Sequence, residues 1–332
     1  MGSEVTRVNK FGIAKGTTWG TAVVTETNAG LYPIGFTGFN YDRNIHIDKG
    51  AGHGFESSAH RGNDSPFEFS WSSILYEDDW ATLFLLAMMH GNNTVTGAGD
   101  PYTHTMIAQD ESGYFFTFRG EESSEIKSTA SAVLLSADLV FEEGEGVWKL
   151  DCTGRGLPPA VEGAVSSLTY KSLTNPFLKQ NTVLRINDQS GDALDSDDAI
   201  GVSNLAIRMA RPADAKHVTG SVNYAQFKGG EFPEWILEFT IPHKSADSIA
   251  MYADWAGTYN KADITLTGNT NRELLLQYPQ VYIESVVNRH EEVLATDVRC
   301  RLQKAISAPT GMTGMTRPQA DWQTDETTSP IA

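Results

Sequence analysis

Three histidines, His46, His53 and His60, recur at intervals of seven in a glycine-rich stretch that also holds Asp48 and Asp64. Imidazoles and carboxylates ligate metals, but zinc sites draw them from short, fixed spacings. Sevens in a polar segment supply no such spacing, and these read as solvated loop residues. The run NDQSGDALDSDD (187–198) gathers Asp188, Asp192, Asp195, Asp197 and Asp198. A calcium loop alternates its acidic ligands around a turn glycine and closes on a glutamate; this run follows neither rule and reads as an acidic surface loop. KGAGHGFE (49–56) does not lie between a buried strand and a helix, and GxxxxGK[ST], GxSxG, HExxH and CxxC are absent. The carboxylate pairs Glu142/Glu143 and Glu291/Glu292 lie in or beside turns between strands, where water keeps both members ionised. No catalytic residue, cofactor or metal is therefore expected, and the chain reads as a protein that is not an enzyme.

What must these residues be mounted on? The chain has 332 residues, enough for about two domains at roughly 150 residues each. Acidic residues number 42 against 25 Lys plus Arg, a formal net charge of −17. Residues 1–160 carry 10 basic and 21 acidic side chains, and residues 161–332 carry 15 and 21. Neither half offers the Lys/Arg surplus that grips nucleic acid, and neither suits an anionic membrane surface. No apolar run is long enough to span a membrane, and MGSEVTRVNKFG lacks the apolar stretch of a secretory signal. Cys152 and Cys300 make no disulfide framework and read as separate reduced thiols.

The chain also repeats itself. YFFTFRGE (114–121) and VLLSADLVFEEGEGVWKLDC (133–152) match ADITLTGN (262–269) and VYIESVVNRHEEVLATDVRC (281–300) at a constant offset of 148. PFEFSWSSI (66–74) and WILEFTI (235–241) alternate apolar and polar residues as half-buried strands do, with Phe69 matching Phe239. Each is followed by one helix. The first has Glu77, Asp78 and Asp79 at its N-terminus and an apolar stripe from Trp80 to Met88. The second starts from Ser245 and buries Ile249, Tyr252, Ala253 and Ala256, ending at Gly257. The expected fold is mainly β: two tandem β-sandwich or partly closed barrel domains, each with one flanking α-helix. The expected boundaries are an N-terminal arm (1–30), a first domain (31–156), a linker (157–180), a second domain (181–306) and an extended C-terminal tail (307–332). Long polar segments occupy the same place in both copies, at 41–66 and 208–233. Loops of this length bind something or are disordered, and their recurrence favours binding.

FGIAKGTTWGTAVV (11–24), through Thr17, Thr18, Trp19, Gly20 and Thr21, resembles the start of tail tube proteins from long-tailed bacteriophages. Position 15 departs from that pattern, with Lys where the family often has an acidic residue. The element order is similar too: a strand pair with a long loop between, a strand leading to one helix, then a final hairpin.

The resemblance implies a structural virion protein that assembles itself into stacked rings forming a tail tube. Double-stranded DNA passes through the channel during ejection. A duplicated chain of this kind implies three chains per pseudo-hexameric ring. The implied partners are further copies of itself, the tape measure protein, and the tail terminator and distal tail proteins. DNA passes without sticking, and no membrane is bound. The implied location is the virion tail, after assembly in the host cytoplasm. The channel is expected to be acidic, lined by Asp138, Glu142, Glu143, Glu284 and Glu291, although outward-facing solubilising charge is an equal reading of these residues. Ring-to-ring contacts are expected from Ile45, His46, Phe55, Arg61, Arg211, His217, Tyr224 and Phe227. A carbohydrate-binding or adhesin module, using Phe55, Tyr102 and Tyr224, is the alternative from another class. Another tail or baseplate β-protein is the third.

Overall fold

The computed structural model describes residues 8–23, 30–31, 39, 45–48, 58–61, 66–78, 92–109, 115–122, 125–142, 144, 146–162, 175–217, 224–229, 233–243, 245–254, 257–269, 272–290, 294–325 and 327. In chain order the strands of the first half are β1 (Val8–Lys15), β2 (Gly30–Leu31), β3 (Ile45–Asp48), β4 (Ser58–Arg61), β5 (Phe67–Ile74), β6 (Asn92–Thr96), β7 (Tyr102–Ile107), β8 (Phe116–Glu122), β9 (Glu125–Phe141), β10 (Lys149–Gly156) and β11 (Ala160–Val161). There follow β12 (Thr182–Asp188), β13 (Ala199–Ile200), β14 (Asn204–Ala210), β15 (Ala213–His217), β16 (Tyr224–Gly229), β17 (Glu234–Ile241), the helix α1 (Ala246–Asp254), β18 (Tyr259–Thr267), β19 (Glu273–His290), β20 (Leu294–Gln303) and β21 (Gln319–Thr324).

The protein is mainly β, as the alternating patterns predict. Seventeen strands share one antiparallel sheet, and β3–β4 and β15–β16 form separate hairpins. Among the described residues the pairings never return on themselves, so the sheet they form is open and not a closed barrel. Alternation sets the faces. In β5, Phe67, Phe69 and Trp71 are buried while Glu68 is exposed. Phe69 and Trp71 meet Phe118 at 4.5 and 5.2 Å between ring centroids.

One pairing order occurs twice. In the first half it runs β2–β1–β8–β9–β10–β5. In the second it runs β13–β12–β18–β19–β20–β17. β-Bulges give an internal ruler, because each marks one extra residue in a ladder. The irregularity at Phe116/Phe118 opposite Ala132/Thr129 recurs at Asn260/Ala262 opposite Val281/Tyr278. That at Thr153/Gly154 opposite Ser136/Leu134 recurs at Arg299/Cys300 opposite Ser285/Ile283. The constant offset of 148 is therefore corrected strand by strand. Phe116 maps to Asn260, Ser136 to Ser285 and Gly154 to Cys300, so the two cysteines are not equivalent. Along β9 and β19 the corrected match differs by one residue, enough to exchange the two faces of a strand.

Two links fuse the halves. Strand β14 pairs with β9, Leu205 opposite Phe141 through Ala210 opposite Ser136. The tail expected to be merely extended ends in β21, which lies between β19 and β7. Its Ala320 and Trp322 are buried, and the Trp322 indole N–H donates to the Glu77 carbonyl at 2.8 Å. Residues 8–15, expected in an arm, are a strand of the sheet with Ile13 and Ala14 buried. Residues 92–107 form the hairpin β6–β7. In the linker, Phe177 is fully buried and hydrogen-bonds to Leu75 and Trp148.

The first expected helix falls in residues 79–91, which lie outside the described residues. Ahead of them, the Glu77 carboxylate accepts from Asn269 N–H at 2.5 Å, and Asp78 pairs with Arg272 at 3.1 Å. On α1, Met251 is buried among the described residues, whereas Ile249 is 58% exposed and Ala253 is also exposed, so these two do not form the predicted buried stripe; the side chain of Tyr252 and residue Ala256 lie outside the described residues.

Candidate functional site

The TTWGT segment serves the fold. Gly20, at a left-handed φ of 80°, donates to Ser131 Oγ at 2.7 Å. Trp19 meets Phe115 edge-on at 5.4 Å, and Val23 N–H donates to Thr117 Oγ1 at 2.9 Å. The turn is thereby tied to β8 and β9.

The most organised polar surface is one side of the sheet across β5, β10, β9, β14, β17, β20 and β19. Alternation buries the other side of each strand, and cross-strand neighbours on this side touch. Ser72 donates to Asp151, and Ser136 and Thr153 share a hydrogen bond of 2.7 Å. Arg208 reaches Asp138 at 3.1 Å on one side and Glu238 at 2.8 Å on the other. Glu238 also pairs with Arg299, which reaches Glu284 at 3.2 Å. Glu284 binds Arg301 as well, and Arg301 pairs with Glu234 at 2.7 Å. Alongside, Arg155 pairs with Glu68, and Asp297 accepts from Arg289 and from Thr240. A groove of about 690 Å³ crosses this surface, with Arg208, Glu238, Arg299 and Asp297 on its floor.

Burial raises the carboxyl pKa of Asp138 and nearby Asp151 adds to the rise, while Arg208 opposes both. Burial also opposes ionisation of Glu284, but its hydrogen bonds and charge contacts with Arg301 and Arg299 outweigh that and hold the carboxyl below the usual range. The same face thus holds two acids shifted in opposite directions, according to how many arginines each one meets.

Of the expected channel residues, Asp138 and Glu284 share this face, and Glu142 stands exposed just past β9 beside the groove. Glu143 and Glu291 lie outside the described residues. The face carries charge of both signs in nearly equal number. Over the stretches where these seven strands pair with one another, the face presents seven carboxylates against six cationic side chains: Glu68, Asp138, Asp151, Glu234, Glu238, Glu284 and Asp297, facing Lys149, Arg155, Arg208, Arg289, Arg299 and Arg301. Sequence reasoning missed the arginines. The signal was present, because each sits at a polar position of an alternating strand.

Among the expected ring-to-ring residues, Ile45, His46 and Arg61 are in the β3–β4 hairpin, with Ile45 opposite Arg61 and His46 opposite His60. His217, Tyr224 and Phe227 are in β15–β16. Phe55 lies outside the described residues. Arg211 is 9% exposed and donates to the Gln109 carbonyl at 2.6 Å. The acidic run 187–198 makes its own caps. Asp195 accepts from Asp197 N–H at 2.8 Å, and Asp188 accepts from Ser190 N–H at 2.8 Å, which lowers the Asp188 pKa. Among the described residues no group of three His, Cys, Asp or Glu is placed to hold a metal. Burial pushes both cysteine thiols up in pKa, so at neutral pH they stay protonated.

One edge of this surface is unfilled among the described residues. On β9, one edge carries β8 along residues 116–122 and then β14 along Ser136–Phe141. The equivalent edge of β19 carries β18 only as far as Tyr282. Beyond it, Ser285–His290, the bulge-matched counterpart of Ser136–Phe141, is paired on the β20 side alone. Val287 there is 55% exposed. At the far end, β5 is likewise paired on one side only among the described residues. Compared with known proteins, the chain matches no family model and no curated relative.

Proposed function

We propose that the chain is a structural subunit that assembles itself into rings and tubes, of the phage tail tube kind, through which double-stranded DNA passes. In the finer reading, the two recurring strand orders are two tandem copies of one tail-tube-like β unit. The β9–β14 seam inside the chain is then the pattern for the seam between chains. The observation that carries this reading is the unfilled stretch Ser285–His290 of β19, the counterpart of the stretch that β14 fills on β9. An unpaired strand edge is a template for another strand.

Among the described residues the surface has two such edges, β19 at one end and β5 at the other. Joining unlike ends is a heterologous contact, which closes into a ring when the rotation allows and otherwise runs on as a filament. Three two-unit chains would give six units. The seven-strand polar face would then be the channel wall, with Asp138 and Glu284 on it. The hairpins β3–β4 and β15–β16 would reach the adjacent ring. Tape measure, terminator and distal tail proteins would be partners, and the virion tail the location. Negative-stain electron microscopy of the purified protein tests the reading. Rings or hollow tubes are expected; isolated particles at high protein concentration would reject it.

A further inference from the structure

We propose that the polar wall is kept close to electrical neutrality by its arginines, so that a double-stranded nucleic acid is neither gripped nor expelled by it; this rests on the tube reading above. The chain carries a formal charge of −17, yet where the seven strands pair with one another they set six cations against seven carboxylates. The acidic surplus therefore lies almost wholly outside these strands.

The compensation is specific. Glu238 lies between Arg208 and Arg299, and Glu284 between Arg299 and Arg301. Each carboxylate answers two guanidinium groups, and the chain of contacts crosses β9, β14, β17, β20 and β19 without a break. A guanidinium left without its carboxylate takes a phosphate oxygen in the same two-pronged geometry. Such contacts release counterions and make binding tight at low salt. Glu238 and Glu284 thus act as internal substitutes for phosphate, and their presence keeps the arginines from holding DNA. Because the acids are engaged in turn, the wall also lacks the field of a bare acidic lining.

The test uses assembled tubes and a short fluorescent DNA duplex, with tubes pelleted by centrifugation at low and high salt. Wild-type tubes should leave the duplex in solution. The double variant Glu238→Gln, Glu284→Gln leaves five carboxylates against six cations. It should raise the pelleted duplex at least about tenfold at low salt and release it at high salt. The double variant Arg208→Gln, Arg299→Gln should pellet none. Capture by wild-type tubes, or no capture by the glutamine variant, overturns the proposal. Failure to form any tube rejects the tube reading instead. In that case the soluble chain still tests the compensation: Arg299→Gln should raise the Glu284 carboxyl pKa measured by carbon NMR, and an unmoved value overturns it.

Discussion

Replacing Trp322 by alanine should destabilise the whole protein, because β21 is part of the fold. The indole is 1% exposed, lies edge-on to Phe177 at 6.1 Å, and donates to the Glu77 carbonyl at 2.8 Å. Truncating a buried aromatic costs about 3–5 kcal/mol through lost contacts and the cavity left behind. Orphaning the Glu77 carbonyl adds roughly 1 kcal/mol. Against a typical total of about 5–15 kcal/mol, the variant should lose a large share of its stability. Trp322→Phe keeps most of the apolar bulk and removes only the donor, so it should lose about 1–2 kcal/mol. Urea unfolding followed by far-UV circular dichroism measures both, and limited proteolysis reports release of the strand. A Trp322→Ala loss within about 0.5 kcal/mol, the range of a surface substitution, would refute the reasoning and return the segment to a detachable tail.

Three other perturbations follow from the polar face and the hairpins. Glu284→Gln should cost about 1–2 kcal/mol at neutral pH, because two arginines lose a charged partner. The folded pKa of Glu284 is depressed, so its contribution is present above the unfolded-state value and fades as pH falls through the folded one. Urea midpoints of variant and wild type should therefore converge in acid. Asp138 has the opposite sign, since its raised pKa favours the protonated form in the fold. Its contribution is full below the unfolded-state pKa and is lost as pH rises through the folded one, so Asp138→Asn should gain on wild type from acid to neutral pH. Deleting 45–62 removes β3–β4, a hairpin outside the main sheet; the chain should stay folded and soluble by circular dichroism but give no stacked tubes by electron microscopy, and unchanged tube length would remove that hairpin from stacking.

Much of the sheet was legible in the sequence. Phe67, Phe69 and Trp71 alternate with small or charged residues, and so do Trp235, Leu237 and Phe239, because each strand buries one face. Strand β21 was equally regular, with Ala320, Trp322 and Thr324 buried between Gln319, Asp321 and Gln323. Its six residues were outweighed by the Thr, Pro and Gly around them. Gly311 and Gly314, both at positive φ, belong to the turns that deliver that strand rather than to a loose end. The repeat was visible, but its register was not. Bulges insert residues at points no composition marks, and a single insertion moves a residue to the other face. Asp138 and Glu284 stand at the unburied positions of alternating strands. Arg208 stands 70 residues from Asp138, and Arg299 and Arg301 stand 15 and 17 from Glu284, so only strand pairing brings them together.

Hydrogen–deuterium exchange along β19 tests the central claim most directly, namely that the edge of Ser285–His290 joins one chain to the next. In the isolated chain, amides of this stretch that point away from β20 should exchange fast, while those of Ser136–Phe141, covered by β14, stay protected. On assembly the β19 amides should become as slow as their β9 counterparts. Equal protection before and after assembly, or continued fast exchange inside a formed tube, would contradict the account.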